Sequence, residues 1–328
     1  ANPIQAAINA AMGGRVLINI GTYIVSSPIT VSAHGLEIYG ADIDTTVIKV
    51  SNSTDIGTVL QFTANGCKLE NLTIDGNRAN NTAEQTLISY LGAYSGLDVK
   101  NLILKNQNGT GGEGVLSNGT ALIFQDSTIT QCDGGGVSSS STHSLYSNLV
   151  VDNVRYGLDI GAESLVSGCV VGTAVAEGYL INYDNARVSS CVAQNCGSTG
   201  FVVVSGASRN TIVNCISSTN TGYGFDLQDS TTLDSCVAQD NSLDGVIING
   251  AGDATASSVT SCIVSGNQQN GINVFFVNGN TIVGNRISYG TATDNTYSGI
   301  FVNGTSTHNT VIGNRVFVPS GTMNFAYS

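Results

Sequence analysis

The chain is poor in charge. Only 10% of its 328 residues are charged, and 11 Lys or Arg stand against 23 Asp or Glu, a net charge of −12 at pH 7. The basic residues are scattered. Counterion release on a polyphosphate needs clustered Lys and Arg, so nucleic acid is excluded as a partner, and an anionic membrane surface with it. No apolar run approaches the roughly 20 residues of a membrane span, which excludes membrane insertion. Proline is scarce, at 3, and tryptophan is absent. The 8 cysteines contain no Cys-x-x-Cys cluster, which argues against a tetrahedral metal site. No secretory leader is read at the start; a chain beginning at Ala1 fits one already processed.

What is present is glycine, at 40 residues, and a 41% hydrophobic fraction rich in Val and Ile. That is the composition of many short strands joined by tight turns, not of a disordered chain. The strands repeat. Aligned on Ser127, Asn148, Cys169, Cys191, Cys215, Cys236 and Cys262, seven segments place a glycine nine residues later, at Gly136, Gly157, Gly178, Gly200, Gly224, Gly245 and Gly271. A period of this size with two short apolar runs per repeat predicts a solenoid, each repeat one turn. Each strand then pairs with its counterpart one repeat later. The handedness of parallel crossovers makes the coil right-handed. The fold expected is all-β: a single right-handed parallel β-helix domain over 1–328, of about ten or more turns.

Asn2, Pro3 and Gly13-Gly14 bound a short N-terminal helix, with Ile4, Ile8 and Met12 on one face, capping the open end over residues 1–14. Strands are expected at Val16–Ile20, Tyr23–Val25, Leu36–Tyr39, Thr46–Val50, Leu69–Ile74 and Val99–Leu104. A surface loop is expected over Asp75–Ala93, an insertion over Gly290–Ser298, and a tail or cap over 318–328. The glycine fixed in every turn implies a backbone angle other residues resist. Cys169, Cys191, Cys215, Cys236 and Cys262 form one inward column, continued by Asn285 and Asn314. Column neighbours sit about 4.8 Å apart, too far for a disulfide. Six Asn-x-Ser/Thr sequons, at Asn52, Asn71, Asn80, Asn108, Asn118 and Asn303, suit a surface-exposed extracellular protein.

Gly13-Gly-Arg-Val-Leu-Ile-Asn-Ile-Gly-Thr-Tyr23 and Leu69-Glu-Asn-Leu-Thr-Ile-Asp-Gly-Asn77 resemble the opening of the pectate-lyase-like right-handed β-helix superfamily. That group holds polysaccharide lyases, polygalacturonases, mannuronan C5-epimerase catalytic modules and phage tailspikes. The adjacent aspartates and Gly-His-Gly of polygalacturonases are missing, as is the tryptophan signature of classical pectate lyases. The resemblance is nearest to the epimerase modules and the tailspike-type β-helices. The epimerase segment Tyr-Gly-Phe-Asp-Pro-His is similar to Tyr223-Gly-Phe-Asp-Leu-Gln228, with glutamine in place of histidine. A shorter copy is Tyr156-Gly-Leu-Asp159. In the family the motif follows the Leu-Thr-Ile-Asp-Gly-Asn segment by about one turn; here that turn reads Gly112-Glu-Gly-Val-Leu116. The resemblance implies polysaccharide as partner and catalysis, as epimerase or lyase, by Tyr223 and Asp226, with Tyr156 and Asp159 as the alternate copy.

The residue two after each glycine should point outward, giving Ser138, Asp159, Leu180, Val202, Asp226, Ile247 and Asn273. The residue before each glycine gives Gly135, Tyr156, Glu177, Thr199, Tyr223, Asp244 and Asn270. One reading is a sugar-binding groove in which Tyr223 and Asp226 abstract a proton at a uronate C5 and Glu177 and Asp244 bind hydroxyls. Arg187 and Arg209 would neutralise the substrate carboxylate, or Ca²⁺ would, held by Asp240 and Asp244, although the nonapeptide calcium-binding glycine repeat is absent. The other reading is a solvated strand face, with Leu180, Val202 and Ile247 an outward stripe for contact with another protein, as in a trimeric spike or filament. His34, His143 and His308 show no partner in sequence. The two functions to separate are a polyuronate C5-epimerase or lyase, and a non-catalytic structural or adhesive β-helix. Either would sit outside the cell, on its surface or on a virion, with a homo-oligomer the candidate assembly for the second.

Overall fold

The computed structural model describes residues 2–250, 256–288, 297–303 and 306–317. The chain is an all-β parallel solenoid of about 11 turns with one N-terminal helix. It divides into two compact units, residues 1–165 and 166–328.

The first unit opens with the helix Pro3–Ala11. The Asn2 side chain accepts the backbone N–H groups of Ile4 and Gln5 at 3.0 and 3.4 Å, answering donors the first turn leaves open. Ile4 and Ile8 are buried, but Met12 is 88% exposed: it takes the left-handed conformation that ends the helix, so it leaves the shared face. Gln5 docks the helix on the edge strand Ile29–Val31. Its amide accepts from the Thr30 N–H at 2.7 Å and donates to the Thr30 carbonyl at 3.0 Å, which covers backbone groups an open edge would expose.

Strands follow at Arg15–Ile18, Gly21–Val25, Glu37–Gly40, Thr46–Val50, Lys68–Asp75 and Asp98–Lys105, close to the sequence reading. Three others escaped it: Ile29–Val31, Thr58–Phe62 and Thr86–Tyr90. The last corrects the loop expected over Asp75–Ala93. Thr86–Tyr90 is buried at every residue and pairs in parallel with Thr58–Phe62 and with Glu113–Ser117. A strand covered on both faces shows no alternation to read.

In the second unit the strands that follow the repeated glycine stack in register, Tyr179 on Phe201, Phe225, Val246, Ile272 and Ile300. Their inward side chains build the core. The rings of Tyr179 and Phe201 lie 4.4 Å apart and those of Phe201 and Phe225 5.0 Å, with planes 6° and 14° from parallel.

The repeated glycines serve space rather than an unusual backbone angle. None of Gly178, Gly200, Gly224, Gly245 and Gly271 has positive φ. A Cβ on Gly224 would instead lie 2.4 Å from the Gly245 carbonyl oxygen, and one on Gly200 only 2.0 Å from Ser217 Oγ. The left-handed residues fall elsewhere, at Asn195, Thr219, Asp240 and Gly266, each one place before an inward side chain. Those inward side chains form a ladder: the Cys196 N–H donates to Asn220 Oδ1, the Asn220 amide to Asn241, and the Asn241 amide to Asn267, each at 2.9 Å.

The cysteine column is inward, as expected. Cys169 to Cys262 are buried and form no disulfide, and Cys262 hands over to Asn285 and then Asn314 through N–H···Oδ1 bonds of 2.8 and 3.0 Å. Burial pushes the Cys132 thiol up to about 12 and the Cys196 thiol to about 11, which suppresses the reactive thiolate. A thiol reagent should therefore label no cysteine in the folded protein and all eight in denaturant without reductant. A denatured count below eight would reveal a disulfide and contradict the column.

The expected outward stripe is half-exposed at Leu180 but covered at its other two positions. Val202 and Ile247 are only 8% and 5% exposed, each packed between column neighbours one turn before and after. A more exposed aliphatic column lies on the other sheet, where Val192, Ile216, Val237 and Ile263 stand in register. The tail over 318–328 and residues 290–296 of the expected insertion lie outside the described residues, as does the side chain of Asn303. Asn108 is buried, which removes it from the exposed sequons.

Candidate functional site

The glycine-led strands bring part of the predicted site together in the second unit. Asp226 is the middle residue of Phe225–Leu227, with Val202 and Ile247 beside it in register. It is 7% exposed. Its Oδ2 accepts from the Gln228 amide at 2.9 Å, while Oδ1, fully covered, finds no hydrogen-bond partner among the described residues. Burial pushes the carboxyl up to about 6, the Gln228 bond drawing it part of the way back. Such a group is mostly ionised at neutral pH yet basic enough to take a proton.

Tyr223 stands just before Gly224, half-buried, its backbone N–H donating to Thr199 Oγ1 at 3.3 Å. Its phenol is raised by burial first, then by the charges of Asp244 and Asp226, so the three groups share one field. Asp244 is deeply buried. One oxygen accepts the Asn270 N–H at 2.7 Å and the Asn270 amide at 2.9 Å; the other accepts the Asn273 amide at 3.0 Å. Burial raises it despite these bonds. Glu177 lies on the same face two turns before Tyr223, half-buried, and accepts from Ser198 Oγ at 3.2 Å.

Arg187 and Arg209 are not brought to this group. Arg187 opens a strand of the other sheet, Arg187–Ser189, and Arg209 sits at left-handed φ before Asn210–Val213 of that sheet, paired with Asp184 at 2.8 Å. Nor do the residues assemble a Ca²⁺ site. Both Asp244 oxygens are taken by asparagine amides, Asp240 accepts from Gln239, and among the described residues no three His, Cys, Asp or Glu converge. Each histidine has a partner: His34 accepts from the Asn65 N–H at 3.0 Å, His143 pairs with Glu163, and His308 Nδ1 meets Thr307 Oγ1 at 3.0 Å.

The alternate copy lies in the first unit. Tyr156 is 37% exposed, with the Arg155 guanidinium 5.2 Å from its ring centre. Asp159 is the half-buried middle residue of Leu158–Ile160. Its charge acts on a carboxyl that sequence reasoning passed over, Glu113, which is pushed up to about 7, mainly by burial. The available signal was register: Glu113 falls in the pre-glycine column two turns before Tyr156, with side-chain-free Gly135 between them. In the second unit the sequence named Gln228, in the place of the motif histidine, and Asn270 and Asn273, but not their bonds to Asp226 and Asp244.

The chain belongs to the right-handed β-helix region family, which matches residues 114–259 and 179–316. Its solved neighbours share the fold at low identity. The A-module of the mannuronan C-5 epimerase AlgE4 of Azotobacter vinelandii aligns with a TM-score of 0.65 at 18% identity, over 99% of this chain and 94% of that one. A PL6 alginate lyase in complex with a trisaccharide gives 0.64 at 9%, over 97% and 82%. The Dettilon tailspike protein gives 0.54 at 15%, over 98% and 60%. No curated protein matches the chain by sequence.

Proposed function

We propose that this protein engages polysaccharide outside the cell or on a particle surface, and acts on polyuronate as a C5-epimerase or lyase by proton abstraction at Asp226 and Tyr223. The observation that carries the reading is the Asp226 carboxylate, buried on the outward column with one oxygen unpartnered and its carboxyl raised to about 6. A buried charge without a full set of partners costs the fold stability, and such groups concentrate at working sites. In the proposed step the C5–H bond breaks, the proton passes to Asp226, and the electron pair moves into the substrate carboxyl group. Tyr223 returns a proton from the opposite face to give the epimer. In the lyase variant Tyr223 instead protonates the departing C4-linked oxygen, leaving an unsaturated sugar. The epimerase and alginate lyase among the structural neighbours support the substrate class.

One observation favours the non-catalytic reading. Gln228 replaces the motif histidine, and its amide is bound to the group that would take the proton. The assay is incubation with polymannuronate, polyguluronate, polygalacturonate and a neutral glycan, with and without Ca²⁺, read by the ultraviolet absorbance of unsaturated ends and by NMR of uronate stereochemistry. Turnover on a polyuronate, rising with pH through about 6 as Asp226 ionises, is the expected result. Silence on all substrates, with a stable trimer or filament in solution, would favour the spike or filament subunit.

A further inference from the structure

We propose that Arg286 and Arg315, ordered by Phe317, form a binding site for the carboxylate or sulfate groups of an acidic polysaccharide, on the sheet of the second unit that does not carry Asp226. The site holds the polymer without transforming it, and it stands apart from the Asp226 chemistry in residues and in readout.

The two arginines are neighbours by register. Arg286–Ser288 and Arg315–Phe317 are parallel strands of successive turns, with Arg286 opposite Arg315 and Ser288 opposite Phe317. Both arginines are exposed. Parallel strands lie about 4.8 Å apart, and like charges directly opposite one another destabilise a sheet. Carboxylates are plentiful, since 23 acidic residues stand against 11 basic ones. Arg15, Lys49, Lys68, Arg78, Lys100 and Arg209 each meet a carboxylate at 2.8 to 3.8 Å; among the described residues neither Arg286 nor Arg315 does. An aromatic ring holds the pair instead. The Phe317 ring centre lies 5.1 Å from the Arg286 guanidinium and 4.3 Å from that of Arg315. One ring therefore orders two long side chains before any ligand arrives, which lowers the entropy that binding must offset.

Two ordered guanidinium groups call for an oxyanion, which each can grip through two parallel hydrogen bonds. The surroundings narrow the class. Two cations on a chain of net charge −12 are too few to hold a nucleic acid, whose binding scales with the number of phosphates neutralised. The same net charge repels any densely charged polyanion. What fits is a polymer with one charge per repeating unit and an uncharged body between charges. Ile263, 45% exposed, precedes Arg286 in the same column, and Ser265 and Ser288 stand in the column beside it. Apolar surface next to hydroxyls matches a sugar, whose ring presents C–H and O–H groups together. The ligand class is therefore a glycan bearing a single carboxylate or sulfate on each sugar.

The test titrates the whole protein into short labelled oligosaccharides of galacturonate, sulfated galactan and neutral galactan, and reads fluorescence anisotropy at low salt. Binding of at least one acidic oligosaccharide is expected, with the neutral one at least about tenfold weaker. Preference for the uronate names a carboxylate as the ligand; preference for the sulfated galactan names a sulfate ester. Exchanging both arginines, Arg286→Gln with Arg315→Gln, should weaken acidic binding by at least about tenfold, while removing two cations elsewhere, Arg187→Gln with Lys105→Gln, should change it by less than about twofold. In the wild-type protein, where no variant has to fold, the bound oligosaccharide should slow dicarbonyl labelling of Arg286 and Arg315 and leave that of Arg15 unchanged. Turnover at Asp226 is read from product chemistry and the arginine pair from labelling, so either proposal can fail alone. No binding of either acidic oligosaccharide, equal loss in the two double variants, or undiminished labelling of Arg286 and Arg315 would each overturn the proposal.

Discussion

Asp226→Asn is expected to lower polyuronate turnover by about 10²–10⁴-fold and, at neutral pH, to make the protein more stable. Both effects come from one cause. In an unfolded chain an aspartate titrates near ~3.9; in the fold burial pushes Asp226 up to about 6. Well below pH ~4 the carboxyl is protonated in both states and its burial carries no charge penalty. Between about 4 and 6 the unfolded chain ionises first, so stability falls as pH rises. Above about 6 the loss is complete, on the order of 2–3 kcal/mol. Asparagine keeps nearly the same shape and carries no charge, so the variant gains up to that amount at pH 7 and little near pH 4. A residue that weakens the fold and is needed for turnover is what a site under functional demand produces. Denaturant midpoints at the two pH values, beside initial rates, test both halves. Lower stability in the variant at pH 7 would assign Asp226 a structural role.

The second large effect belongs to the core. Phe201→Ala should cost about 3–5 kcal/mol. The ring is fully buried between Tyr179 and Phe225, with centroid separations of 4.4 and 5.0 Å. Its neighbours cannot close the gap, because parallel hydrogen bonds hold successive turns at one strand spacing. The variant therefore keeps a cavity and loses two ring contacts. Phe201→Leu, which refills much of the volume, should recover more than half of the loss. A loss below about 1 kcal/mol for the alanine variant, read from the denaturant midpoint, would mean the turns slide together and the stack bears little weight.

The solenoid was legible because its period is written in residues that only one environment accepts. Small inward thiols at Cys169–Cys262 and the glycine nine places on mark the same two columns in every turn. The reason for the glycine was not legible. A sequence does not show that a Cβ on Gly224 would strike the carbonyl of Gly245, and a backbone angle was the simpler inference. Thr86–Tyr90 was hidden because burial on both faces erases alternation. Outwardness was overread at Val202 and Ile247, since an alternating pattern gives the direction of a side chain but not how closely its column neighbours cover it.

The candidate site was legible in its parts and not in its assembly. Tyr223, Asp226 and Asp244 stand out by type and spacing, and they share one field in the fold. Arg187 and Arg209 stood out equally, yet their strands belong to the other sheet. Glu113 went unnoticed because the repeat alignment began one turn later, with Gly135, its neighbour in the pre-glycine column.

The most direct test of the proton-transfer account is NMR of polyuronate turned over in deuterated water. Wild-type protein should place deuterium at C5, or release unsaturated ends, and Asp226→Asn should do neither. If the wild-type chain leaves every C5 hydrogen in place and every chain intact on mannuronate, guluronate and galacturonate polymers, the account of Asp226 is contradicted.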